Sequence, residues 1–114
     1  MSDFSAEDKK LLTLARATRA RIGAAEGAAV RDTDGRTYAA ATVDLPSLQL
    51  TAVQCCVAMA VAAGSAGIDA VVVLGASGAL ADTDRAVLGD FAGSDGVVAH
   101  LGDPRGTIAA TVTV

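Results

Sequence analysis

Few side chains in this chain could do chemistry, and most have a plainer job in view. Cys55 and Cys56 are adjacent. They could form a metal or redox pair, but neighbouring residues on a helix point about 100° apart and are badly placed to share one ion. Direct neighbours also cannot close an ordinary disulfide, so the expectation is small buried hydrophobes. His100 is the only histidine. It could serve as a base or ligand, yet no nucleophile or second ligand stands near it in sequence, and a structural role is expected. Asp82 and Asp84 could form a carboxylate dyad or a metal pair. Their place ahead of a helix makes capping a sufficient reason for them. Asp32, Asp34 and Asp44 read as turn and strand-end carboxylates. The loop Gly75-Ala76-Ser77-Gly78 follows a strand and could accept a phosphate or hydroxyl, although it lacks a P-loop lysine and a full G-x-G-x-x-G.

The elements that position these residues can be taken in order. Residues 1–5 read as an irregular lead. Ser5-Ala6-Glu7-Asp8 resembles a capping box with Asp in place of Glu. Leu11, Leu14, Ala15 and Ile22 then form an apolar stripe, with Thr18 its one polar member, and Gly23 stops the helix. Residues 27–31 and 37–43 read as antiparallel strands joined by the Asp-Gly turn Asp32-Thr33-Asp34-Gly35. Pro46 suits a helix start, so a long helix is expected over 47–63. After Gln54 that helix is apolar on every side. One side can face a sheet; the other is expected to face another subunit. Residues 69–75 form a central strand covered on both faces. A short helix follows over 82–91, then strands at 97–101 and 107–114. The turn at 103–106 is too short for a parallel crossover, so the last two strands are antiparallel. The order α-β-β-α-β-α-β-β implies one α/β domain over 1–114, with helices packed on a five-stranded mixed sheet.

Bulk properties narrow the field. The chain has 114 residues, of which 52% are hydrophobic and 3% aromatic, so Ala, Val, Leu and Ile must build the core. The net charge of −4 argues against nucleic acid, which requires a basic stripe to displace counterions. The cluster Lys9, Lys10, Arg16, Arg19 and Arg21 reads as a solvated helix face. The apolar stretch 51–76 is broken by Gly64-Ser65-Ala66-Gly67 and carries Asp69, which argues against a membrane span. The N-terminus shows no signal-peptide core. A soluble cytoplasmic protein is the expectation.

The first hairpin, GAAVRDTDGRTYAAATVD, followed by a helix and a buried strand, resembles the small homo-oligomeric cytidine deaminases. The similarity runs without gaps from about Gly27 to Ser77 and loosely to Leu101. It implies an α/β/α sandwich and dimers or tetramers in which neighbouring chains complete each pocket. It also implies zinc held by an H-x-E and P-C-x-x-C signature. Laid on this chain, the first ligand falls at Val53 and the catalytic glutamate at Cys55. The second motif falls at Leu80-Ala81-Asp82-Thr83-Asp84, with its ligand places at Ala81 and Asp84. Val53 and Ala81 cannot bind a metal, and Asp84 alone cannot hold zinc. Thr42 and Asp44 stand where the family has an asparagine and a glutamate that touch the ribose, and Ala24 replaces an aromatic.

The resemblance therefore implies a degenerate site with no zinc and no catalytic residue. The leading reading is a non-catalytic structural or regulatory module that binds itself or an unknown protein partner. A nucleoside- or nucleotide-binding sensor using Thr42, Asp44, Gly75 and Ser77 is the alternative. A divergent deaminase-like hydrolase with a different site is the third.

Overall fold

The computed structural model describes residues 4–114; the expectation for residues 1–3 lies outside them. Helix α1 (Ala6–Ile22) leads into β1 (Gly27–Asp32) and β2 (Thr37–Ala41). A small two-stranded sheet, β3 (Val43–Leu45) and β4 (Leu48–Leu50), precedes α2 (Ala52–Ala62). Strand β5 (Ile68–Leu74), helix α3 (Asp82–Asp90), β6 (Val98–Gly102) and β7 (Ile108–Thr113) complete the chain. The five-stranded sheet has the order β2-β1-β5-β6-β7. Only β5 and β6 run parallel; the other neighbours are antiparallel. This is the expected mixed sheet with an antiparallel final pair.

Side-chain alternation divides β5 between two cores. Ala70, Val72 and Leu74 meet Leu11 and Ala15 of α1 on one face. Val71 and Val73 meet Val53, Cys56, Val57 and Ala60 of α2 and Leu88 of α3 on the other. A strand buried on both faces must be apolar at nearly every position, which explains the run Ala70 to Leu74. The Asp-Gly turn forms as its sequence requires. Gly35 adopts φ 86° and its N–H donates to the Asp32 carbonyl at 3.0 Å, a conformation that costs glycine little.

Three expectations are corrected. The first concerns α2, which starts at Ala52 and not near residue 47. Pro46 and Ser47 instead join Leu45 to its cross-strand partner Leu48, so the proline sets a turn. The true start signal is Thr51-Ala52-Val53-Gln54. The Thr51 hydroxyl accepts from Gln54 N–H at 3.0 Å, and the Gln54 side chain accepts from Thr51 N–H at 2.9 Å, a complete capping box. The second concerns α3. Its N-cap is Ala81, which makes no side-chain bond. Asp82 and Asp84 sit one step later, in the first turn, where the helix dipole favours a carboxylate.

The third concerns α1. Ser5 accepts from Asp8 N–H at 3.0 Å, but the Asp8 carboxylate does not return to Ser5. It bonds Arg31 at 2.9 Å and His100 at 2.9 Å. The buried stripe is therefore Asp8, Leu11 and Ala15, while Leu14 and Ile22 are 36% and 65% exposed. Ile22 reaches past the sheet into a groove with Ala41, Val43, Leu50, Cys55 and Met59. His100 is 2% exposed and bonded at both ring nitrogens.

Close approach of α1 to β1 depends on Gly27. A methyl group there would run into the Ala15 carbonyl oxygen and come within 2.6 Å of the Arg19 Cβ. Gly27→Ala should therefore lower unfolding free energy by about 1–3 kcal/mol, as overpacking typically does. Urea denaturation followed by circular dichroism checks this, and an unchanged midpoint would contradict it.

Candidate functional site

The N-terminal ends of α2 and α3 meet beside a cleft of about 540 Å³. Six elements or connections supply its walls. Ala25 and Glu26 come from the lead into β1, Thr42, Val43 and Asp44 from the end of β2 and β3, and Gln49 and Leu50 from β4. Thr51 and Gln54 come from the start of α2, and Ala76 and Ser77 from the loop after β5. Two lining residues, Glu26 and Asp44, carry carboxyl groups, and among the described residues no lysine, arginine or histidine lines it.

At the back of the cleft the two helix starts are joined by one hydrogen bond. The Thr51 hydroxyl donates to the Asp84 carboxylate at 2.7 Å. The Thr51 hydroxyl thus commits its only hydrogen to Asp84 while its oxygen accepts the helix cap. Asp84 is 2% exposed. Glu26 lies alongside. Its side chain rests on Gly75, where a Cβ would come within 2.8 Å of Oε2. Burial, and then repulsion from Asp84, push the Glu26 carboxyl above its usual range.

The cleft brings together some of the expected residues. Thr42, Asp44 and Ser77 line it, as does Ala76. Thr42 also clamps the strand: its oxygen accepts from Glu26 N–H at 3.0 Å, and its own N–H donates to the Glu26 carbonyl at 3.1 Å. Ser77 bonds the backbone of Ala79. Gly75 lines the site only indirectly, as the floor beneath Glu26. Ala81 is exposed at the cap of α3.

Val53 and Cys55 stand elsewhere. Val53 is fully buried in the core, and Cys55 faces the groove it shares with Ile22 and Met59. Neither meets Asp84; Thr51 does. The physical reason is the later start of α2, which puts Thr51 at the helix entrance. The two cysteines diverge as expected for helix neighbours. Cys56 is buried, with its thiol 3.5 Å from the Ala28 carbonyl, and burial pushes that thiol up to about 12. Burial also raises Cys55. Among the described residues, no three His, Cys, Asp or Glu side chains come together in a way that could hold a metal.

Sequence reasoning missed Glu26, Thr51 and Gln54. The Thr-x-x-Gln spacing was a legible helix-start signal for the latter two. Glu26 gave none, because its partners Gly75 and Asp84 are distant in sequence. Asp32 proved to be more than a turn carboxylate. It is 1% exposed and accepts from Asp34 N–H, Arg36 N–H and the Ser65 hydroxyl. Burial raises its carboxyl, but these bonds outweigh burial and hold it below the usual range.

Two outcomes follow from this geometry. Thr51→Val removes a cap worth about 1 kcal/mol and strips a buried carboxylate of a donor, for a total near ~2–3 kcal/mol, while Thr51→Ser should stay close to the parent. Equal melting temperatures for the Val and Ser variants would contradict the bond. Glu26 is raised on folding, so its favourable contribution is present below its unfolded value and is lost as pH rises through the folded one. Glu26→Gln should therefore match the parent at low pH and become the more stable of the two towards neutrality. Denaturation midpoints across the acid-to-neutral range read this directly.

The family model for cytidine deaminase-like proteins matches residues 4–106. No curated protein matches the sequence. Among solved structures, a cytidine deaminase from Burkholderia pseudomallei superposes with a TM-score of 0.77 at 22% identity, covering 99% of this chain and 93% of that one. A cytidine deaminase from Mycobacterium leprae gives 0.71 at 22% identity, with 92% and 91% covered. A mutant cytidine deaminase from Mycobacterium tuberculosis gives 0.67 at 24% identity, with 80% and 82% covered. At these identities the structural likeness concerns the fold, while the family match spans nearly the whole sequence: the chain belongs to the cytidine deaminase-like family.

Proposed function

We propose that this chain is a deaminase-fold protein without zinc-dependent deamination, acting as a self-associating structural or regulatory module. One observation carries the reading: the Thr51 hydroxyl donates to Asp84 at 2.7 Å, directly joining the two helix starts that the family signature would link through an ion. Whether the H-x-E triplet falls on Val53-Gln54-Cys55, as the resemblance implies, or on Thr51-Ala52-Val53 at the start of α2, it holds neither the histidine nor the glutamate. The P-C-x-x-C ligand places remain Ala81 and Asp84. A tetrahedral zinc site needs three nitrogen, sulfur or carboxylate donors and an open position for water. A hydroxyl already committed to Asp84, a methyl group and one carboxylate do not fit it. Val53 offers no proton shuttle. These side chains therefore support no step of a zinc-dependent deamination.

Self-association is supported by what α2 leaves uncovered. Its inner face is packed, but Met59 and Val61 are 39% and 53% exposed, with Ala58 and Ala62 beside them. Ile22, Leu45 and Leu48 add further exposed apolar surface at 65%, 55% and 48%. Of these, Ile22 and Met59 share one apolar groove with Cys55 and Ala58, and exposed apolar surface of that kind is the usual mark of an interface. A second copy of this chain is the proposed occupant. The composition and the lack, among described residues, of any helix long and apolar enough to cross a membrane suit a cytoplasmic setting.

A second reading has its own observation. The cleft remains open and about 540 Å³ in volume, with Glu26, Asp44, Thr51, Gln54 and Ser77 on its walls. It is large enough for a nucleoside-sized ligand. Its carboxylates and lack of cationic residues suit a neutral hydroxylated ligand better than a phosphorylated one.

Purified protein should contain far less than one zinc per subunit and convert no cytidine to uridine. Stoichiometric zinc with turnover would overturn the leading reading. Light scattering should return a dimer or tetramer, and Met59→Glu should shift it towards monomer with the helical signal retained. A parent protein that is monomeric throughout would contradict self-association. Thermal stabilisation by nucleosides but not nucleotides would support the cleft reading, and no stabilisation by any of them would remove it.

A further inference from the structure

On the opposite side of the sheet from the cleft, a second depression of about 590 Å³ lies between α1 and β7. Phe4, Lys9, Leu12, Thr13, His100, Ile108 and Thr111 line it. Two of its polar groups, Thr111 and His100, form a continuous chain with Asp8 behind them. The exposed Thr111 hydroxyl lies 2.8 Å from His100 Nδ1. His100 Nε2 lies 2.9 Å from Asp8 Oδ2. The other Asp8 oxygen accepts from Arg31 at 2.9 Å. By side chain, His100 is 2% exposed and Asp8 11%, while the threonine lies at the surface.

The hydrogen-bond inventory fixes the direction of the proton in the neutral imidazole. An ionised carboxylate only accepts, so Nε2 must carry the ring hydrogen that faces Asp8. Nδ1 is then a lone-pair acceptor, and the Thr111 hydroxyl must donate to it. Burial alone would raise the Asp8 carboxyl. The bonds from Arg31 and His100 outweigh that and hold it below its usual range, consistent with an ionised acceptor. His100 is further confined by Phe4, whose ring meets it edge-on at a centroid distance of 4.6 Å. This is the arrangement of a hydroxyl nucleophile, a histidine base and a carboxylate that orients the base. His100 and Thr111 are cross-strand partners in β6 and β7, so the sheet itself sets their separation.

We propose that Thr111 is a histidine-activated nucleophile that accepts acyl groups from activated esters with short apolar acyl chains. Thr111 Oγ1 forms a bond to the ester carbonyl carbon as its proton passes to His100 Nδ1. The bond from that carbon to the leaving oxygen then breaks, and His100 returns the proton to the leaving group. Water releases the acyl group by the reverse use of His100: it attacks the acyl carbon, gives its proton to Nδ1, and the departing Thr111 oxygen takes that proton back. Asp8 and Arg31 are positioning residues in this scheme. Phe4, Leu12 and Ile108 provide the apolar wall for the acyl chain, and Lys9, which also lines the depression, supplies positive charge beside it. The proposal does not depend on the reading of the cleft.

The test uses the full chain with p-nitrophenyl acetate and p-nitrophenyl butyrate, following p-nitrophenolate release and locating the acyl group by peptide mass spectrometry. The expected result is acylation at Thr111, faster with butyrate than acetate. Thr111→Val should abolish that adduct, and Thr111→Ser should keep it. His100→Asn should slow it by about a hundredfold or more, the lower end of what a positioned base contributes. Thr111 is exposed, so its variants should fold whether or not the buried histidine can be replaced. Acyl groups found only on lysines, or nitrophenolate release unchanged by Thr111→Val, would overturn the proposal.

Discussion

The starts of α2 and α3 come together beside the cleft, joined through a buried carboxylate. Helix starts expose N–H groups and carry partial positive charge, so they demand an acceptor. Asp84 answers that demand from the first turn of α3, and the Thr51 hydroxyl ties it to the entrance of α2. The rest of the site is arranged around this bond. The small sheet β3–β4 delivers the chain to Thr51 at the right point. Gly75 leaves room for Glu26 beside the carboxylate. Burial, together with the like charge of Asp84, then makes Glu26 easier to protonate than an ordinary glutamate.

The same scaffold treats its two faces differently. On the α1 side, a buried ionic chain through Arg31, Asp8 and His100 ends at the Thr111 hydroxyl. On the α2 side, packing is almost entirely aliphatic, and even Cys56 behaves as a small core residue. Polar groups left unpaired in a core are costly, and the first face avoids that by bonding both histidine nitrogens and both Asp8 oxygens. The second face pairs its few buried carboxylates in the same way, Asp84 with Thr51 and Asp32 with Ser65, and its apolar character continues past the core to the exposed side of α2. That continuation is the physical basis for proposing a second subunit there.

Much of the fold was legible because periodicity and turn chemistry agree. The Asp32–Gly35 turn, the doubly buried β5 and the antiparallel final pair each follow from local residue choice. The start of α2 was misread because Pro46 serves a turn as readily as a helix entrance, while the capping pair Thr51 and Gln54 gave the decisive local signal. Val53 and Cys55, where the resemblance sets the first motif, lie in the core and at the groove. Thr42, Asp44 and Ser77 were found because they sit at strand ends or loops that the fold must bring to one edge. Glu26 and the Asp8–His100 pair were invisible because their partners lie far away in sequence and only the sheet brings them together.

The family relationship gives the chain a cytidine deaminase-like framework, and the proposal that it lacks zinc chemistry rests on the groups at the helix junction. Anomalous scattering at the zinc edge, from crystals grown in excess zinc, tests that proposal most directly. The account predicts no anomalous peak between Thr51, Ala81 and Asp84, with Thr51 still within hydrogen-bond distance of the carboxylate. A strong peak coordinated by Asp84, with the threonine displaced, would contradict it.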